Sequence, residues 1–226
     1  IKCILIADTS KLRSLGNSLC EATNLIYKTN LHSIATTPYS TLGDIQNILE
    51  RKVTTLAHVR SKCAIYEKSL ELLRGTLWQQ QCDVPVDAQE WEGIRQFASQ
   101  QALDGIMPDA LLFLSQGSMP SKAMKMQMIA MQLQVVKANE HMNDVLLEFT
   151  AELARRNIPY ALMKGQGVAS LYPHPLHRVS GDIDLYVPME YYQSVNKGMM
   201  AYGGKRSHET RMHVDYTAKG VIWELH

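Results

Sequence analysis

Residues Tyr160 to Pro188 read YALMKGQGVASLYPHPLHRVSGDIDLYVP. A short apolar run turns at Lys164-Gly165-Gln166-Gly167, a helix-compatible segment and a proline-interrupted loop follow, and a second apolar run, DIDLYV, is stopped by Pro188. In a strand, side chains two apart share a face, so Asp182 and Asp184 project together while Ile183 and Leu185 face the other way. Like charges so placed repel, and a hard dication between them removes the repulsion. Magnesium is the natural choice, because it is commonly held by one or two carboxylates together with substrate phosphates. A competing reading has Asp182 capping the turn after Gly181 and Asp184 paired with a cation such as Arg178.

Working outward, HVDYTAKGVIWELH at the end of the chain reads as two alternating strands joined through Lys219-Gly220. On the last of them Ile222, Glu224 and His226 share one face and Val221, Trp223 and Leu225 the other. Glu224, a lone acid in an apolar strand, is therefore the candidate third oxygen ligand, with Asp215 as the alternative. MEYYQSVNKGMMAYGG between the two regions reads as a helix closed by Gly203 and Gly204. The Lys164 to Gly167 turn lies between a strand and a helix, where free backbone N–H groups and the helix dipole favour an anion. An anion seat beside a metal-binding acid pair is the equipment of phosphoryl or nucleotidyl transfer.

Towards the N-terminus the pattern becomes helical. In DAQEWEGIRQFASQQALDGIMPDALLFL, Asp87 caps a first helix with Glu90 three positions on, and Pro108 suits the start of a second. Ser121 opens a long helix reaching about Asn157, with an apolar stripe at Met124, Met128, Met131, Val135, Ala138, Met142, Val145, Phe149 and Leu153. Those methionines are read as packing residues. Further upstream, IKCILIAD reads as a short buried strand, and the stretch from Thr41 to Gly75 carries apolar residues at helical spacing.

The composition, 46% apolar and 20% charged, is that of a folded protein, and a net charge of +1 excludes a broad basic field for nucleic acid. No apolar stretch approaches the roughly 20 residues that cross a bilayer, so no membrane partner is expected. Cys3, Cys20, Cys63 and Cys82 are far apart and show no zinc-finger spacing, which suits a reducing, cytoplasmic compartment. His174, His177, His208 and His213 are scattered and are expected to form no metal rim.

The stretch from Ile158 to Val187 resembles the DNA polymerase β-type nucleotidyltransferase superfamily, whose core runs strand, glycine turn, helix, then a strand carrying D-x-D. More closely, MKGQGVASLYPHPLHRVSGDIDLYV resembles a group of uncharacterised bacterial nucleotidyltransferase-like proteins with Lys-Gly, helix, Tyr-Pro, Arg and Asp-Ile-Asp-Leu, and abortive-infection toxins have a related pattern. The resemblance covers about two thirds of the chain. It implies an α+β (mixed α/β) fold, with a segment of unassigned role over 1–73, a helical region over 74–157 and a nucleotidyltransferase core with a small mixed sheet over 158–226, truncated at its C-terminus. It implies that Asp182, Asp184 and Glu224 are catalytic and bind Mg2+, with Glu224 helping to deprotonate the attacking hydroxyl. It further implies that Lys164, Gly165, Gln166, Gly167 and Arg178 contact the phosphates of a nucleoside triphosphate, ATP foremost, for transfer to RNA, protein or a small molecule. Here the turn has Gln166 where the superfamily has Ser or Gly, and the span to Asp182 is longer than in the minimal pattern. The alternative is a catalytically inactive member that binds a nucleotide or a partner, as a toxin–antitoxin or accessory component. A third possibility is a helical interaction protein dimerising through the Met-rich helix.

Overall fold

In the computed structural model of the protein, the described residues are 61–210 and 213–226. The strand expected over 1–8 and the expected helix before residue 61 lie outside them. The described chain is a mixed α/β structure in which helices precede a five-stranded mixed sheet. It divides into two compact units, residues 61–98 with 113–121 and residues 99–112 with 122–226.

In the first unit, residues 61–78 are helical (α1) and a second helix, α2, spans Glu90–Gln100. The start of α2 is a capping box. Asp87 Oδ1 accepts the N–H groups of Gln89 and Glu90, each at 2.8 Å, and Glu90 Oε2 accepts the Asp87 N–H at 2.9 Å. Trp91 and Ile94 bury the inner face of the helix, and the Trp91 indole donates to the Ser118 carbonyl at 3.0 Å.

In the second unit the helix expected from Pro108 is instead a 3₁₀ turn, Met107–Leu112. Its buried Asp109 is held from outside the turn, by Gln132 at 2.8 Å and by His177 at 2.7 Å. The long helix α3 spans Lys122–Arg155. Its C-terminal half buries Met142, Val145, Phe149 and Leu153, as the stripe requires, but Asn139 is buried where the stripe places Ala138, which is exposed. The sheet consists of β1 (Ala161–Met163), β2 (Asp182–Tyr186), β3 (Lys205–Glu209), β4 (Val214–Ala218) and β5 (Val221–Leu225), in the order β1-β2-β5-β4-β3. Within this sheet β2 and β5 pair in parallel and the other three pairs are antiparallel. The short helix α4 (Gly165–Ala169) follows β1, and α5 (Met189–Ala201) follows β2.

One face of the sheet is the core. Ile183, Leu185, Val214, Tyr216, Trp223 and Leu225 are each 1% exposed or less and pack with Phe149 and Leu153 of α3 and Val195 and Met199 of α5. Phe149 meets Trp223 edge-on, with ring centroids 5.2 Å apart. The β4–β5 hairpin turns through Lys219 and Gly220, both at positive φ (50° and 79°) as a two-residue loop of the I′ kind requires. Edge strand β3 is exposed at all five positions and was not legible from alternation; it pairs with β4 through a register shift between Arg206 and His208.

Candidate functional site

The opposite face of the same strands is polar. Asp184 lies level with Glu224 across the parallel pair, and Asp215 lies level with Glu224 across the hairpin, so three adjacent strands present a row of acids. Asp182 is one pleat before Asp184, and His226 one pleat after Glu224. One ligand oxygen from each of Asp182, Asp184 and Glu224 falls within 4.8 Å of the others. Three hard oxygens converging from two hydrogen-bonded strands are a donor set that fits Mg2+ or a similar dication.

Asp184 is the most enclosed of the three, at 1% exposure. Lys164 Nζ donates to its Oδ1 at 2.8 Å and stands 3.9 Å from Glu224 Oε2, while His226 Nε2 lies 3.2 Å from Asp184 Oδ1 and 3.4 Å from Glu224 Oε2. Burial pushes the Asp184 carboxyl up, but the hydrogen bond and charge of Lys164, aided by bonds involving Glu224 and His226, hold it net below the usual carboxylate range. Lys164 is correspondingly pushed up, first by its bond to Asp184, with burial opposing and the charges of Asp184, Glu224 and Asp182 helping.

Lys164 reaches that position because the backbone before α4 is forced into a tight turn. Lys164 has φ 44° and Gly165 φ 28°, and a Cβ on Gly165 would stand 3.1 Å from the Asp182 carbonyl oxygen. Gly167 is packed as closely, with its Cβ position 3.0 Å from the Leu162 carbonyl oxygen. The two glycines therefore let the turn lie directly against β1 and β2.

A family model described as an uncharacterised nucleotidyltransferase matches residues 87–226. The chain belongs to this family. Neither curated proteins nor solved structures gave a match. The matched span takes in the D-x-D strand, the glycine turn and Glu224, and also the helical segment from Asp87 onward.

The remaining residues expected to contact phosphates, Gln166 and Arg178, are engaged within the protein. Gln166 bonds Asn139 Oδ1 at 3.3 Å and accepts from the Ser180 hydroxyl at 3.4 Å, so it ties the turn to α3 and to the loop before β2. The Arg178 guanidinium donates to Ser180 Oγ at 2.9 Å and to the Val179 carbonyl at 3.2 Å. It is Lys164, and not Arg178, that pairs with Asp184.

Two residues to which the sequence reading gave no role in the site touch its candidate residues. Asn139 is buried within α3 and its Nδ2 donates to the Leu176 and Arg178 carbonyls, both at 2.7 Å, clamping the loop that joins the glycine turn to β2. Asn139 adjoins the stripe position read as Ala138, so the apolar pattern gave no signal for it. His226 is the other. Its side-chain position follows from the same alternation that selected Glu224, and its N–H and carbonyl continue the pairing with β2, to Leu185 at 2.9 Å and from Val187 at 3.0 Å.

Proposed function

We propose that this family member transfers a nucleoside monophosphate from a nucleoside triphosphate, ATP foremost, to an acceptor hydroxyl, in the manner of the DNA polymerase β-type superfamily. The observation that carries the reading is the register of Asp184 level with Glu224, with Asp182 beside them, so that three carboxylates converge on one spot. Asp182, Asp184 and Glu224 would hold magnesium. When bound, Mg2+ supplies charge neutralisation for the phosphates and a more acidic hydroxyl. The acceptor oxygen attacks the α-phosphorus, the bond to pyrophosphate breaks, and Glu224 takes the hydroxyl proton. Lys164 leaves Asp184 for the triphosphate as a point charge, and the Gly165 to Gly167 turn sits against the phosphates with Arg178 at its margin. Gln166, with its side chain engaged to Asn139, contributes to that seat through its backbone.

The Lys164 to Asp184 bond also favours a second reading, in which an ammonium permanently takes the place of the metal and the protein binds a nucleotide or partner without chemistry, as an accessory or toxin–antitoxin component. Either way we place the protein in a bacterial cytoplasm; no helix among the described residues is long and apolar enough to cross a membrane. The two readings separate on incubation with ATP labelled at the α-phosphate, Mg2+ and in turn RNA, protein and small hydroxyl compounds. Label transfer with matching pyrophosphate release supports catalysis. Nucleotide binding without either product supports the inactive reading.

A further inference from the structure

The polar face of the sheet continues past the three carboxylates. Beyond Glu224 it presents His226, and across the hairpin Asp215 and His213. One donor atom from each of His213, Glu224 and His226 lies within 4.8 Å of the others, and all three residues are half-buried. The two imidazole rings are neighbours, with centroids 5.2 Å apart and planes 48° from parallel, so they do not stack face to face.

Asp215 stands beside this trio, level with Glu224 across the hairpin. Asp215 Oδ1 is buried without a hydrogen-bond partner among the described residues, although His213 Nε2 stands 3.3 Å from it. A buried carboxylate oxygen left unbonded is costly, and cations or hydrogen bonds ordinarily satisfy such atoms. The His213 ring is held from its other nitrogen: Nδ1 is 3.3 Å from Thr210 Oγ1, and the Thr210 hydroxyl also accepts the His213 N–H at 3.1 Å. Nε2 is thereby the nitrogen turned to Asp215. A hydrogen bond at the far ring nitrogen is what orients a metal-ligating histidine, most often from a carboxylate, a carbonyl or water, and here the Thr210 hydroxyl takes that place.

We infer that this face carries a second cation site, built by His213, Glu224 and His226 with Asp215 beside them, for a transition-metal dication. Two imidazoles and a carboxylate suit Zn2+, Mn2+ or Fe2+, whereas Mg2+ prefers an all-oxygen shell. Asp215, 3.3 Å from His213 Nε2, would stand beside such an ion through that histidine and is not itself one of the three converging donors. Glu224 belongs to both donor sets, so an ion here would sit next to the carboxylate trio and act on it by charge. The site shares Glu224 with the trio, but its two nitrogen donors, His213 and His226, are its own, so its test can be read apart from nucleotidyl transfer.

Zn2+ titration followed by calorimetry, with Co2+ as a spectroscopic probe of nitrogen coordination, tests the site on the whole chain. The intact protein is expected to bind Zn2+ and to give Co2+ visible bands that Zn2+ displaces. His213→Ala and His213→Gln are each expected to weaken Zn2+ by at least about 10-fold, while the double variant Asp182→Asn with Asp184→Asn keeps both Zn2+ and the Co2+ bands. Circular dichroism identifies any variant that fails to fold; His226→Gln, with its backbone anchor kept, then provides the same comparison. The inference is overturned if the intact protein does not bind Zn2+, if folded His213 variants bind it as tightly as the parent, or if binding is lost only with the two aspartates. Loss of Mg2+-dependent ATP binding alone, with Zn2+ binding intact, would sink the nucleotidyl-transfer reading and leave this site standing.

Discussion

The two faces of the sheet are made by the same strands and differ by one residue in phase. On one side Ile183, Leu185, Trp223 and Leu225 are sealed against α3 and α5; on the other Asp182, Asp184, Glu224 and His226 converge. Because the side-chain period of a strand is two, a slip of one residue between β2 and β5 would bury the acids and expose the core. The apolar face thus pins the register, and the polar face inherits its geometry from packing that it does not itself provide. Like charges can be held close on one face because burial on the other opposes their separation.

The most forceful way to break that dependence is Trp223→Ala. Deleting a fully buried indole that meets Phe149 edge-on should cost about 3–5 kcal/mol, read from urea unfolding, and should abolish ligand binding on the far face with it. Intact binding in a variant so destabilised would show that the acids do not depend on the core for their alignment. Next in size is Asn139→Ala, which strips the Leu176 and Arg178 carbonyls of their donor. We expect about 1–3 kcal/mol of lost stability, together with weaker nucleotide binding because the loop between turn and D-x-D strand loosens.

Lys164→Met sharpens the comparison on the polar side. Without the ammonium, burial becomes the dominant influence on Asp184 and its carboxyl should move up, as followed by NMR of the labelled side chain. The sign for stability follows. In the parent, the lowered Asp184 value stabilises the fold above the ordinary carboxylate range near ~3.9 and that stabilisation is lost as pH falls through the lowered value. Lys164, raised, stabilises below its ordinary value near ~10.4, with the loss coming as pH rises through the raised one. In the variant the Asp184 contribution shrinks, so the metal-free variant should lose less stability than the parent as pH falls from neutral into acid. Since Lys164 is 66% exposed, the change in stability should stay below about 1 kcal/mol. Smallest of all should be Lys219→Met. Lys219 bonds Glu148 at 2.6 and 2.7 Å and lies 4.5 Å from the Tyr202 ring centroid, but on the open surface, and the urea midpoint should not move measurably.

What the sequence made legible follows the same division. Alternation revealed β2, β4 and β5 and put Asp182 with Asp184 and Glu224 with His226, because each of these strands has one sealed face. β3 has none: Lys205 to Glu209 are exposed on both sides, so no period of two was there to find. Asp87 and Glu90 announced their helix because a capping box is local chemistry, whereas the turn at Pro108 is shaped by Gln132 and His177, distant in sequence. The choice of Lys164 over Arg178 as the partner of Asp184 is likewise tertiary. It depends on the positive-φ backbone at Lys164 and Gly165, which brings the Lys164 amine to Asp184 on β2.

The central claim is that Asp182, Asp184 and Glu224 hold a dication together with a nucleoside triphosphate. Calorimetric titration of ATP into the protein with and without Mg2+, repeated on Asp182→Asn with Asp184→Asn, tests it most directly. The account predicts Mg2+-dependent ATP binding that the double variant loses while its circular dichroism stays unchanged; equal binding by both proteins, or binding indifferent to Mg2+, would contradict it.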